Sequence, residues 1–270
     1  MKSRLDVALF ERGLAKSREE ARALVLAGLV YLGEQKAEKA GQFVTEETQI
    51  RVRGETCPFV SRGGLKLQKA MRDFSITLKD AVAADIGAST GGFTDCMLQC
   101  GAKQVYAIDV GYGQLDWKLR SDARVVVLER TNARFMEPDW FRQPLDFASI
   151  DVSFISLDKI LPPLYRCLRE GGNTVALIKP QFEAGREKVG KHGVVSLKET
   201  HIEVIDRILS IAREVGFCVK GLSYSPIRGP KGNIEFLVFL EKCIANESCD
   251  DVIGHNEAVS VVQETHIACI

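Results

Sequence analysis

The stretch Asp85-Ile86-Gly87-Ala88-Ser89-Thr90-Gly91-Gly92-Phe93-Thr94-Asp95 joins a short apolar run, Ala81-Val82-Ala83-Ala84, to a segment with helical character. An acid ending a strand, a glycine-rich turn and a helix start together expose bare backbone to a nucleotide-like ligand. The turn reads G-x-S-x-G-G and not the G-x-G-x-x-G of dinucleotide binders. A second acid, Asp109, closes the next apolar run, Tyr106-Ala107-Ile108, where a carboxylate can accept both hydroxyls of a ribose. Turn and acid together point to an adenosyl-sulfonium ligand, S-adenosylmethionine, which has no pyrophosphate to cradle. The candidate cofactor contacts are Asp85, Gly87, Ala88, Ser89, Thr90, Gly91, Gly92 and Phe93, with Asp109, Val110 and Asp151; packing is the more natural role for Phe93. Asp151 ends the run Ala148-Ser149-Ile150, and Lys179 ends Ala176-Leu177-Ile178 immediately before Pro180. In an open parallel sheet such strand ends line one crevice. Glu235 opens a late apolar run and falls near Lys179 if that strand pairs beside the fifth; Lys66, in a helix before the sheet, adds a second cation.

The elements that must position these residues alternate. Strands are expected over Val82–Ile86, Val105–Val110, Val125–Leu128, Phe147–Asp151, Thr174–Lys179, Val219–Ser223 and Ile234–Leu240. Helices are expected over Thr94–Cys100, Leu157–Leu168 and Lys198–Val215, with one more opened by Ser61 or Gly64 and running to about Phe74. This alternation predicts an α/β fold, a Rossmann-like, mostly parallel sheet covered on both faces. Gly229-Pro230-Lys231-Gly232 reads as a tight hairpin that turns the last strand antiparallel.

Before this domain the pattern differs. Ser3 can cap a helix over Arg4–Arg12, and Ser17-Arg18-Glu19-Glu20 is a capping box for a second helix that ends at Gly28. Val30–Leu32 and Gln49–Arg53 read as short strands, with Gly33-Glu34 a turn. Gly54 to Pro58 is punctuated by glycine and proline, so the expected domains are 1–58 and 59–242. The remainder, 243–270, carries Glu247, Asp250, Asp251, Glu257 and Glu264 without a lysine or arginine, and disorder is expected there.

Bulk composition narrows the classes. The chain has 270 residues, 46% hydrophobic and 27% charged, ordinary for a globular protein. Lys plus Arg and Asp plus Glu balance at 36 each, so any nucleic-acid contact must rest on local charge. The eight cysteines form no C-x-x-C pair and read as reduced thiols; no metal site is expected. The start, Met1 to Gly13, is charged throughout, and no apolar run approaches the roughly 20 residues that span a bilayer. A cytoplasmic location without stable membrane association follows as the expectation; oligomeric state stays open.

Two resemblances sharpen this reading. Arg4-Leu5-Asp6, Gly13-Leu14-Ala15-x-Ser17-Arg18-x-x-Ala21 and Gly28-Leu29-Val30-x-Leu32 resemble the S4 RNA-binding domain, which implies that Arg4, Lys16, Arg18 and Arg22 face RNA phosphates. Lys66, Asp151, Lys179 and Glu235 resemble the Lys-Asp-Lys-Glu tetrad of FtsJ-like ribose 2′-O-methyltransferases. With Ser61-Arg62-Gly63-Gly64-Leu65-Lys66 and Gly229-Pro230-x-Gly232-Asn233-Ile234-Glu235, the whole of Lys2 to Lys242 is similar to the TlyA family of rRNA methyltransferases. The resemblance implies a methyltransferase acting on a cytidine ribose in ribosomal RNA, free or in ribosomal subunits. It implies Lys179 as base or hydroxyl-orienting group, Asp151 and Glu235 as its positioners, and Lys66 as an electrostatic clamp. Arg62 touches RNA or covers the domain junction on this reading, and His192 is a lid residue or merely solvated. Two other classes remain: a membrane-active haemolysin and a non-catalytic RNA-binding assembly factor.

Overall fold

The computed structural model describes residues 2–53, 57–243, 251 and 253–268, which divide into two compact units, Met1–Pro58 and Phe59–Ile270. The first unit opens with strand β1 (Lys2–Arg4) and helices α1 (Leu5–Glu11) and α2 (Arg18–Leu26). Short strands β2 (Val30–Leu32), β3 (Gln35–Lys36), β4 (Phe43–Thr45) and β5 (Ile50–Val52) follow. Ser3 does not cap α1, because it pairs with Val44 in the β1–β4 ladder, and extended Arg4 takes the cap position with no side-chain bond. Ser17 does cap α2, its Oγ accepting from the Glu20 N–H at 3.1 Å. The Glu20 carboxylate reaches back one residue further than a capping box requires, to the Lys16 N–H. Leu5, Ala8, Leu9, Ala21, Leu24, Val25, Val30 and Val44 close the small core.

The second unit begins with helix α3 (Gly63–Asp73), strand β6 (Val82–Ile86), helix α4 (Gly92–Gln99) and strand β7 (Gln104–Ile108). It continues through α5 (Trp117–Arg120), β8 (Val125–Leu128), β9 (Leu145–Ile150), α6 (Leu161–Cys167), β10 (Leu168–Ile178) and α7 (Pro180–Glu183). Helix α8 (Lys198–Val215), strands β11 (Phe217–Tyr224) and β12 (Phe236–Lys242) and helix α9 (His255–Ile267) complete it. The sheet runs β11-β12-β10-β9-β6-β7-β8, parallel from β10 to β8, with β12 antiparallel to both neighbours. From β6 the chain builds outward through β7 and β8, then crosses back to β9 and β10. The order therefore reverses between β6 and β9, and a crevice opens at their carboxyl ends. All five residues of β6 are buried, as a central parallel strand covered on both faces requires.

Other expectations are corrected as well. Gly229–Gly232 is not a tight hairpin; residues 225–235 link β11 to β12, with a 3₁₀ turn at Pro230–Gly232. The helix expected over Leu157–Leu168 is split into a 3₁₀ turn, Leu157–Lys159, and α6, because Pro162 and Pro163 have no N–H to continue a ladder and are tolerated only in a first turn. Nor is the tail wholly disordered. Helix α9 sets Ala258 and Val262, both 0% exposed, into the main core, and the Glu257 carboxylate caps it by accepting the Gly254 N–H at 2.7 Å. The buried stripe of α9 is only Ala258, Val262 and Thr265, too narrow and too small-chained to stand out against its acids. Residues 244–250 of that expectation lie outside the described residues. Cys96, Cys100, Cys167 and Cys243 are thiols as expected, whereas Cys218 is disulfide-bonded.

Candidate active site

The glycine turn sits directly against the end of β9. Gly87 has φ +86°, and a Cβ there would lie 2.7 Å from the Asp151 carbonyl oxygen. Only glycine allows the two backbones to approach this closely. Gly91, in the left-handed region at φ +95°, turns the chain into α4. Beneath the turn, the Asp85 carboxylate accepts the Thr94 N–H at 2.8 Å, the Thr94 hydroxyl at 2.7 Å and the Ser149 hydroxyl at 3.2 Å. Asp85 is 0% exposed. It thus ties α4 to β9 from behind the crevice, which corrects its placement among the cofactor contacts. Burial pushes its carboxyl up to about 6, against the hydrogen bonds from Thr94 and Ser149 that favour the charged form. Phe93 is likewise core, 4% exposed.

Asp109 stands just past β7, half-buried, its Oδ2 accepting the Ser89 N–H at 2.8 Å and its Oδ1 the Gly111 N–H at 2.7 Å. Each carboxylate oxygen has a second lone pair, so both can still accept from a ribose diol. Val110 beside it is 69% exposed, Ala88 is buried, and Thr90 is exposed with its carbonyl accepting the Asp116 N–H at 3.2 Å. The turn from Gly87 to Phe93 contains no Lys or Arg. A close-approach backbone, a strand-end carboxylate and no cation for a pyrophosphate suit an adenosyl-sulfonium group.

The four remaining chemical residues converge beside this turn. Lys179 Nζ lies 2.5 Å from Asp151 Oδ1 and donates to Ser153 Oγ at 3.1 Å. Lys66 Nζ, from α3, bridges Asp151 Oδ2 at 3.4 Å and Glu235 Oε2 at 2.7 Å. The register explains Glu235: Ile178 pairs with Phe236, so antiparallel β12 begins where parallel β10 ends. Basic and acidic side chains therefore alternate along Lys179–Asp151–Lys66–Glu235, with Lys66 and Lys179 each 7% and Glu235 1% exposed. Burial disfavours the Lys66 ammonium, but Asp151 and Glu235 outweigh it and raise its pKa. Burial likewise raises Asp151, and Lys179 and Lys66 outweigh it to bring the carboxyl down. Glu235 touches Lys66 and not Lys179, which corrects its expected role as a positioner of Lys179.

Several site residues carried no signal in sequence. Ser153 is one. Gln181 is another, donating its amide to Glu235 Oε1 at 3.5 Å while its buried carbonyl oxygen has no partner among the described residues. Phe154 is 90% exposed at φ +63°, its ring centroid 4.9 Å from that of Phe182. Positive φ at a non-glycine residue is a property of the folded loop and leaves no compositional trace. His192 is exposed in the Gly190–Gly193 turn, and Asn233 anchors that turn by donating to the Gly193 carbonyl at 2.9 Å. Arg62 is exposed at the start of α3. In the first unit, Arg4, Arg18 and Arg22 converge on Asp6, whereas Lys16 is exposed and outside that group. No cluster of metal-ligating side chains occurs among the described residues.

A doubly wound sheet with this turn, this strand-end acid and a buried Lys-Asp-Lys-Glu chain defines an S-adenosylmethionine-dependent methyltransferase. The chain belongs to the FtsJ-like methyltransferases, whose family model matches residues 59–242, and within them to the TlyA family; an S4 domain model matches residues 3–50. It is 50% identical over 266 residues to YqxC of Bacillus subtilis (strain 168), covering 98% of this chain and 94% of that protein. It is 40% identical over 257 residues to the 16S/23S rRNA (cytidine-2′-O)-methyltransferase TlyA of Mycobacterium tuberculosis (strain ATCC 25618 / H37Rv), covering 93% and 96%. A solved structure from Streptococcus thermophilus, described as a hemolysin, superposes with TM-score 0.78 at 48% identity, covering 98% and 96%.

Proposed function

We propose that this enzyme methylates the 2′-hydroxyl of a cytidine in ribosomal RNA, free or within a ribosomal subunit, with the first unit docking the RNA. The observation that carries this reading is the alternating Lys179–Asp151–Lys66–Glu235 chain beside the glycine turn. S-adenosylmethionine, when bound, supplies an electrophilic methyl on a positively charged sulfur. The protein must bring a weakly nucleophilic hydroxyl into line with that methyl and its leaving sulfur, and take the hydroxyl's proton as the O–C bond forms and the C–S bond breaks, the electron pair staying on sulfur as a neutral thioether. In its neutral form, Lys179 Nζ is the atom that receives that proton. The ammonium it becomes is met at once by Asp151 Oδ1 and the Ser153 hydroxyl. Lys66, held charged by two carboxylates, clamps Asp151 from its other oxygen and keeps the acceptor side of the site rigid. Gly87, Ala88, Ser89, Thr90, Gly91 and Gly92 supply the backbone cradle, and Asp109 with Val110 flanks the adenosyl group. Asp85 acts on the cradle only through Thr94 and Ser149.

In the first unit, Arg4, Arg18 and Arg22 are half-exposed guanidinium groups on one face, the chemistry that neutralises phosphates. Arg62 and Lys16 extend this role as exposed cations on their own units. A cytoplasmic location fits an rRNA substrate. A haemolysin reading has the Streptococcus description in its favour, yet among the described residues no helix is long and apolar enough to cross a membrane. The deciding experiment incubates the protein with methyl-labelled S-adenosylmethionine and unmodified ribosomal subunits and maps the labelled nucleotide. Label on a cytidine ribose is expected. Label on a base would overturn the mechanism, and no label on any RNA would overturn the substrate.

A further inference from the structure

Among the described residues of the first unit, Asp6 is the one carboxylate whose side chain is wholly buried, 0% exposed, at the start of α1. It is not there for lack of apolar alternatives, since its neighbours Leu5, Ala8 and Leu9 all enter the core. Its oxygens are instead committed to three arginines from two elements. Arg4 Nε donates to Oδ1 at 3.0 Å and Arg4 Nη2 to Oδ2 at 3.1 Å, a two-pronged contact. Arg22 Nε donates to Oδ2 at 3.0 Å, and Arg18 Nη2 stands 3.6 Å from the same oxygen. The Val7 N–H completes Oδ1 at 3.1 Å. The Arg4 hydrogen bonds hold the Asp6 carboxyl well below the usual carboxylate range, against the opposing pull of burial. Meanwhile the three arginine side chains keep 45%, 52% and 51% of their surface in solvent. Each is therefore anchored at one edge and open at another. Gly41 packs beside the array: a Cβ there would lie 3.3 Å from both terminal nitrogens of Arg4.

We infer that Asp6 is a positioning residue that gathers Arg4, Arg18 and Arg22 into one preorganised array for backbone phosphates of RNA. The inference rests on the proposed RNA-docking role of this unit. Three guanidinium groups placed together repel one another, and free arginines lose rotamer freedom on binding. A buried carboxylate between them removes the repulsion and sets the forks before the ligand arrives. Because Asp6 also subtracts one positive charge from the patch, its two effects on affinity have opposite sign. Removing a mere counter-charge would tighten RNA binding; removing a positioner weakens it.

The test is binding of the full-length protein to purified unmodified ribosomal RNA across a salt series, together with steady-state methyl transfer. Asp6→Asn is expected to raise Kd and the KM for RNA roughly 10-fold, the equivalent of one lost charge-assisted contact. At saturating RNA kcat should not change, and the dependence of log Kd on log salt should become shallower. Unchanged or tighter binding with an unchanged salt slope would overturn the inference. Should Asp6→Asn disturb the fold by circular dichroism, Gly41→Val crowds Arg4 while leaving Asp6 in place; a weaker complex is expected, and wild-type affinity would overturn the positioning role. Arg18→Gln separates this from the underlying reading. If it binds RNA as wild type does, the docking role of the face fails; if it weakens binding while Asp6→Asn does not, only the role of Asp6 fails.

Discussion

At the scale of residues, the site divides its labour between two lysines of equal burial. Lys66 has two carboxylate partners and Lys179 has one; on the proposed reading the first is the electrostatic clamp and the second takes the hydroxyl's proton. Lys179→Ala should abolish methyl transfer while calorimetry shows S-adenosylmethionine affinity within a few-fold of wild type; near-normal turnover would sink the assignment. Glu235→Gln leaves the volume unchanged but takes the nearer carboxylate from Lys66. A loss of about 100-fold in kcat is expected, comparable with removal of a preorganised electrostatic partner, alongside unchanged cofactor binding. Asp85 makes a prediction of a different kind. Its folded pKa, about 6, lies above the ordinary carboxylate value, so the folded state holds a proton that the unfolded chain has released. Its contribution is present below the ordinary value and is lost as pH rises through 6, by roughly 3 kcal/mol at most. Urea midpoints of Asp85→Asn should therefore lack the fall between about pH 4 and pH 6 that wild type shows. Asp85, Asp109, Asp151 and Lys179 were all visible as strand-end residues, but that Asp85 turns inward was not, because an acid at a strand end looks the same whichever side of the turn it faces.

At the scale of elements, α8 matches its expected bounds, Lys198–Val215, since an eighteen-residue amphipathic pattern ending at a left-handed Gly216 is unambiguous. Helix α9 was illegible, and its docking depends on side chains that only the fold brings together. His201 in α8 accepts or donates at 3.1 Å to His266 in α9, and His255 at the other end of α9 meets Asp206 at 2.7 Å. Burial drives His201 down to about 4, so it stays neutral in the fold. The unfolded chain takes up a proton first as pH falls, and stability is lost from about pH 6.5 towards pH 4, the reverse of the Asp85 window. His201→Phe should flatten that acid loss and blunt the release of α9, read by hydrogen exchange at Val262. An acid limb as steep as that of wild type would show that the pair does not govern docking.

At the scale of the whole molecule, zero net charge means that RNA attraction must be local, and the proposed function gives the two units separate duties. Raising salt from about 50 to 200 mM should raise the KM for RNA by at least an order of magnitude while S-adenosylmethionine binding barely moves, because phosphate contacts release counterions and the cofactor cradle has no cation. A salt-insensitive KM would argue against the arginine face. The resemblance to FtsJ-like methyltransferases is what joined Lys66, Asp151, Lys179 and Glu235 in one set, while the residues by themselves determined the α/β alternation, the glycine turn with Asp109 and the helix ends at Ser17 and Val215. Those are local signals: period, turn chemistry and residue type at a strand end. Only the tertiary structure decided which lysine meets which carboxylate, since that follows from inserting β12 antiparallel beside β10, a pairing between segments far apart in the chain. It likewise decided that Asp85 supports the cradle and that Asp6 gathers three arginines. Hydrogen-bond partners and burial are properties of long-range packing, and a linear pattern of residue types does not contain them.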